Sequence, residues 1–150
     1  MTWLPNVDPG TFEQVMALRP DLAGAHAAFV DAFTDVLDQP VRDACRIRVA
    51  QVLGRPDLAA DVAGPDRVAA VARWSESDAV SDDERVVLDL TESFVVDPHA
   101  VTAAQRAAVR DRFGEAGLVA VVEWLAILDG IVRFQTVLGI PAGAAGDGGS

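Results

Sequence analysis

Two capping boxes fix the helical character of this chain before any composition is considered. Ser81-x-x-Glu84 stands directly ahead of Val86-Val87-Leu88, and Thr102-x-x-Gln105 stands at the head of the following segment. In each, the side chain of the cap satisfies a free helix N–H while the residue three further on reaches back, so the pattern marks a helix start. Proline-led starts add to them. Asp8-Pro9 opens a short helix to about Leu18, Pro20-Asp21 a second to about Leu37, and Pro40 a third that stops at Gly54. Leu22, Ala25, Phe29, Ala32, Phe33 and Val36 keep the helical period on the second. Short helices follow over 57–63 and 66–74, then longer ones from Ser81 to about Val96, from Thr102 to about Phe113, and from Glu115 to Leu138. The β-branched pairs Val86-Val87 and Val95-Val96 are too short to compete as strands. The expectation is an all-α single domain over residues 1–141, with a flexible Gly/Ala tail over 142–150.

The 150 residues are 51% hydrophobic, enough for a real core. The formal net charge of −11 repels nucleic acid and anionic membranes, so neither is expected as a partner. The N-terminus has no signal-peptide pattern, and the apolar run from Leu118 to Val132 is interrupted by Glu123 and Asp129. A cytoplasmic protein is expected. Cys45 is the only cysteine, and His26 and His99 are the only histidines. An internal disulfide and a Cys or His metal cluster are excluded on count, and neither a metal nor another cofactor is expected. The last helix is apolar on almost every face, which places it in the middle of the fold or in an interface between copies. On it, Asp129 and Arg133 stand four apart, the spacing of an intrahelical ion pair. Trp124 and Phe134 read as packing residues.

The third helix and the turn after it carry the residues of chemical interest. Asp43, Ile47 and Ala50 share a face, with Arg46 adjacent. A partly buried Asp43 beside an arginine stays ionised and accepts hydrogen bonds; the alternative is an acid held in the first turn by the helix dipole. Arg55 reads either as an anchor for a carboxylate or enolate, or as the ion-pair partner of Asp57, Asp43 or Asp61. Asp57 and Asp61 share a face at i,i+4 and read as a solvated pair with Asp57 as an N-cap. Cys45 lines up with Val49 and Val52 and reads as a small core residue. His99 reads as a surface or capping residue. His26 reads first as a structural residue, and otherwise as the imidazole that could face a pocket lined by the second helix.

The run Asp43-Ala44-Cys45-Arg46-Ile47-Arg48-Val49-Ala50 to Gly54-Arg55-Pro56-Asp57-Leu58 resembles the core of the AhpD-like / carboxymuconolactone decarboxylase superfamily. Members carry an acid, then Arg-Leu-Arg-Val-Ala, then a Gly-Cys-x-x-Cys turn and a His. Trp74, Ser81-Asp82-Asp83-Glu84-Arg85, Asp97-Pro98-His99-Ala100-Val101-Thr102 and the Leu125–Gln135 helix are similar to that family's later segments, so the resemblance runs from about Leu18 to Pro141. It implies an AhpD-like helical bundle that assembles as a dimer, trimer or hexamer through apolar helices. The family's two sulfur positions fall on Arg55 and Leu58, its His position on Val62, and its acid on Asp43. A peroxidase needs an activated thiolate and a second sulfur in reach, so dithiol peroxidase activity is not expected. What the resemblance leaves is a proton-transfer enzyme of decarboxylase, isomerase or lyase type, acting on a small organic acid or ketone. Asp43 and Arg55 would be its catalytic residues, and His26, Arg46, Leu58, Val62 and Trp74 would line its substrate site. The alternatives are a small-molecule-binding or scaffold protein with a degenerate site, favouring an anionic ligand, and a peroxidase using Cys45 alone.

Overall fold

The computed structural model of the chain describes Leu4 and residues 10–143. It is a single helical domain, with no strand among the described residues: α1 (Phe12–Met16), α2 (Pro20–Ala32), α3 (Gln39–Val52), α4 (Pro56–Ala60), α5 (Pro65–Ala72), α6 (Asp82–Val96), a 3-10 turn (Pro98–Ala100) and α7 (Ala103–Leu138). No helix among the described residues is long and apolar enough to cross a membrane. The start expected at Asp8-Pro9 and tail residues 144–150 lie outside the described residues. Of the rest of that tail, Ala142 packs against the core and Gly143 lines a cavity described below.

Both capping boxes form as read. Ser81 accepts from the Glu84 backbone while Glu84 accepts from the Ser81 N–H, and Thr102 and Gln105 do the same. A third box starts α1: Thr11 and Gln14 cap the helix three residues later than Asp8-Pro9 suggests. The break between the two helices expected from Thr102 and Glu115 falls at Gly114, whose φ of 77° and ψ of 176° interrupt α7. A side chain is strained at that φ, so glycine there lets the two segments meet at an angle.

Helix α3 runs through the centre, packed against α6, α7, α4 and α5. It buries Val41, Ala44, Cys45, Ile47, Val49 and Ala50, and its deepest neighbours are Leu88, Leu90, Val121, Trp124 and Leu125. Two polar side chains of α3 are bonded across the bundle, although Arg42 Nε and Arg48 Nε are buried without a hydrogen bond. Arg48 pairs with Glu92, which also accepts a 2.8 Å bond from the Trp74 indole. Gln51 donates to the Val68 carbonyl at 2.9 Å. Nearby, Arg85 donates to the carbonyls of Trp74, Ser75 and Ser77, and Arg67 pairs with Glu84. These bonds staple the α5–α6 connection to the bundle.

The second helix differs from expectation. It ends at Ala32, the chain then turns through Phe33 to Leu37, and no α2 residue is buried. The residues that anchor this region follow the helix: Phe33 and Leu37 are buried, and the Phe33 ring stacks on Trp124 at 5.0 Å. Leu22, Phe29 and Val36 remain exposed.

Glu84 is 3% exposed and serves both the capping box and the Arg67 ion pair. Glu84→Ala removes both and leaves Arg67 without its carboxylate. The expected loss is about 3 kcal/mol in chemical denaturation. A loss within about 0.5 kcal/mol, the range of an ordinary surface change, would show that the pair does not hold α6 in place.

Candidate functional site

The α3 helix ends in a Schellman motif. Gly54 has φ +73°, its N–H reaches the Gln51 carbonyl at 3.1 Å, and the Arg55 N–H reaches Ala50 at 2.8 Å. The end of α7 repeats the device, with Gly139 at φ +66°, Gly139 N–H on Thr136 and Ile140 N–H on Gln135. Arg55 ties the two stops together. Its Nε and Nη2 form a fork on Asp57 at 2.9 and 2.7 Å, Nη1 donates to Thr136 Oγ1 at 3.2 Å, and Nη2 also donates to the Ile140 carbonyl at 3.0 Å. Of the two readings of Arg55, the geometry supplies the ion pair, and Asp57 is the partner. The guanidinium raises its own pKa and lowers that of Asp57 through this hydrogen bond. Arg55 does not line the cavity, which corrects its placement as an anchor there. Asp57 is correspondingly not the N-cap of α4; Arg55 occupies that position.

The cavity lies between α2, α3, α4 and α7, with α1 at its rim, and has a volume of about 620 Å³. Of the site residues expected from sequence, Asp43, Arg46, His26, Leu58 and Val62 all line it. Trp74 does not; it is held by Glu92 in the staple at the α5–α6 connection. Its indole bond therefore accounts for Trp74 structurally.

Asp43 and Arg46 form the polar centre. They are one turn apart on α3, with Arg46 Nη1 3.9 Å from Asp43 Oδ1, and the guanidinium sits 5.2 Å from the centre of the Trp124 ring. Burial lowers the Arg46 pKa, Asp43 opposes that shift and Arg42 reinforces it. An arginine so placed remains a cation at neutral pH, with much of its hydration replaced by an aromatic face. Leu58, Val62, Leu128 and Val132 supply apolar wall.

Further polar groups reach the cavity, among them Asp61, Gln135 and His26. Asp61, at the C-terminal end of α4, is separated in role from Asp57: its pKa is raised, first by burial and then by the Asp57 charge, against a hydrogen bond from the Gly143 backbone. Gln135 is 9% exposed on the inner face of α7. His26 stacks on Phe12 at 5.3 Å, and Phe12 in turn meets Phe134 edge-on at 5.9 Å. The sequence signal for Gln135 was available: a lone amide at helical spacing from Leu128, Ile131 and Val132, on a helix otherwise apolar there. Asp61 carried no such signal, because its i,i+4 spacing from Asp57 looks the same for a solvated pair. Among the described residues no group of three or more His, Cys, Asp or Glu is arranged to hold a metal ion.

Cys45 is fully buried and faces away from this site, as a core residue. Burial pushes its thiol up to about 12, against a hydrogen bond with Thr91. A thiol so held supplies no thiolate at neutral pH.

Fold and site together define an all-helical, single-domain protein with an Asp–Arg pair in a cavity of mixed polar and apolar lining. No protein-family model matches the chain, and no solved structure matches it. The chain is similar to the uncharacterized protein YnjA of Escherichia coli (strain K12), at 28% identity over 114 residues, which cover 71% of this chain and 63% of that protein. The chain thus spans less than two thirds of that relative's length.

Two outcomes follow from this geometry. Cys45 should resist an aromatic disulfide reagent at pH 8 in the folded protein and react fully in denaturant; rapid labelling of the native state contradicts its burial. Arg55→Ala should destabilise the fold by about 1–3 kcal/mol, from the lost charge-assisted bonds to Asp57, Thr136 and Ile140, with the heat-induced transition moving down. A stability equal to that of the unmodified chain would overturn the role of Arg55 as the tie between the two helix stops.

Proposed function

We propose that this chain is a divergent member of the AhpD-like / carboxymuconolactone decarboxylase superfamily that has lost the redox dithiol. In this reading it is a cofactor-free proton-transfer enzyme of decarboxylase, isomerase or lyase type, acting on a small organic acid or ketone. The observation that carries the proposal is the Asp43–Arg46 pair beside Trp124 in a cavity of about 620 Å³. That size suits a small ligand, and apolar walls with a few convergent polar groups are the usual composition of such sites.

The assignment of roles differs from the sequence expectation chiefly at the anion anchor. Arg46, not Arg55, is the anion anchor. Its terminal nitrogens face the cavity beside Asp43, where they can receive a carboxylate or the oxygen of a developing enolate. Asp43 is the proton acceptor, because a carboxylate placed one helical turn from the anchor lies next to the carbon that such an anion activates. Asp61 is a second carboxylate on the cavity wall, within the same lining as Asp43. Leu58 and Val62 keep the reacting end dry. The chain assembles as a homo-oligomer in the same reading, since Leu18, Leu22, Phe29, Val36, Val119 and Val137 are exposed.

A second reading keeps the cavity and removes the chemistry: a protein that binds a small anion without transforming it. Arg46 on the cavity wall favours it, because a guanidinium holds a carboxylate whether or not a base stands beside it.

Turnover of a panel of β-keto acids and lactones separates the two. Asp43→Asn is expected to lower kcat at least about 100-fold while a non-reacting carboxylate still binds. Arg46→Ala is expected to weaken carboxylate binding at least about tenfold. Unchanged turnover in Asp43→Asn removes Asp43 from the chemistry. Arg46-dependent binding with no turnover anywhere in the panel establishes the second reading, and carboxylate binding indifferent to Arg46 sinks both.

A further inference from the structure

The outer face of α7 carries a regular exposed stripe that the fold leaves uncovered. Val119, Glu123, Ala126, Gly130, Arg133 and Val137 are all exposed and follow one another at steps of four, three, four, three and four. That is the seam spacing of two helices packed side by side, and Val119 and Val137 at its ends are 61% and 70% exposed. A stripe of this kind on a single chain would ordinarily be polar.

Its order is self-complementary when reversed. About the level of Leu128, Val119 is the mirror of Val137, Glu123 of Arg133, and Ala126 of Gly130. A second copy laid antiparallel across the first therefore sets valine on valine at both ends and acid on base inside them. The two smallest residues meet at the crossing, where backbones approach closest. Parallel alignment would set Glu123 on Glu123 and Arg133 on Arg133. The charges are available for the antiparallel pairing. Glu123 has no ion pair among the described residues, and Arg133 engages Asp129 through Nε alone, at 2.9 Å. Gly130 has open space where a Cβ would stand, so nothing inside the protomer requires glycine at that position.

We infer that α7 is the two-fold interface of a homodimer, with two copies antiparallel about Leu128 and the partner's Arg133 paired to Glu123. This inference rests on the oligomeric reading above and specifies its surface, partner and register. It also reaches the cavity. Phe134 lies on the edge of the stripe, its mirror position is the half-buried Val122, and its ring braces Phe12 at the cavity rim. Covering Phe134 with a second copy fixes that rim.

The register makes a cross-linking test decisive. In the antiparallel dimer, residue 119 of one copy lies against residue 137 of the other, and the two residues 119 are about 27 Å apart along the axis at the helical rise per residue. Val119→Cys and Val137→Cys proteins, oxidised separately, should stay uncross-linked; mixed, they should form a covalent dimer. Cys45 is buried and takes no part. In sedimentation equilibrium, Glu123→Arg should weaken association at least about tenfold, and adding Arg133→Glu in the same chain should restore it. Gly130→Arg should give a folded monomer with unchanged helix content. Self-cross-linking of Val119→Cys, or an assembly of unchanged size in Gly130→Arg, overturns the register while leaving an oligomer in place. A wild-type chain that sediments as a monomer at all concentrations overturns both this inference and the oligomeric reading, with the proposal for the cavity standing apart.

Discussion

Burial of α3 on most of its circumference is the constraint from which the other features follow. A helix at the centre of a small bundle cannot carry a polar side chain inward without a partner, because an unpaired buried charge costs several kcal/mol. Arg46 and Arg48 are two residues apart and so point to nearly opposite sides. Arg48 meets Glu92, and through it the Trp74 indole, so one side of α3 is stapled to α6 and the end of α5. Arg46 meets Asp43 and the Trp124 ring, on the side where the helices stand apart and leave a cavity. One helix thus separates a polar cluster that closes the fold from a polar cluster that faces open space.

The turn after α3 shows the same economy. A residue following a Schellman glycine is well placed to reach across to a neighbouring helix end, because the chain has just reversed direction. Arg55 does so and meets the matching stop of α7 at Ile140 and Thr136, with Asp57 holding the other edge of the guanidinium. Each of those bonds uses a donor that an anion anchor would need. An arginine already committed to a carboxylate, a hydroxyl and a carbonyl has little left to offer a ligand, which is why its charge contributes to the fold and not to the cavity.

Local rules made the helix boundaries legible and left the choice of partners obscure. Capping boxes at Ser81 and Thr102, the glycine stop at Gly54 and the break between Phe113 and Glu115 depend on residues within a few positions of each other, and each is where the sequence places it. The i,i+4 pair Asp129–Arg133 is local too. The partner of Arg55 was one of three aspartates within reach in sequence, and choosing among them needs the position of α7, which comes from 81 residues further along the chain. The apolar period of α2 implied burial that α2 does not have; periodicity reports which face is apolar, not whether anything within the same chain covers it. Five of the expected site residues meet at the cavity because α3 and α4 are adjacent in sequence. Trp74 belongs to a different cluster because its partner, Glu92, is reached only once α6 has packed. Gln135 enters the cavity from α7; its helical spacing marks the face it stands on, but which helices that face meets depends on the packing of α7.

A site organised at a turn depends on the loop that forms it, whereas an acid and a base one turn apart on a central helix are held by the backbone itself. In this fold the turn after α3 is such a loop. Here that turn is apolar toward the cavity at Leu58 and Val62, and is tied down outside it by Arg55. The remaining polar pair, Asp43 and Arg46, lies within α3, where neighbouring helices restrict its geometry. A pair fixed in this way favours one ligand orientation, since rigid elements place functional groups more accurately than loops do. The cost is that Asp43 and Arg46 also see each other at 3.9 Å, a separation long enough for an anion to compete for the guanidinium. An anion that engages Arg46 would then lie within reach of Asp43, so the pair that holds the ligand also sets its orientation.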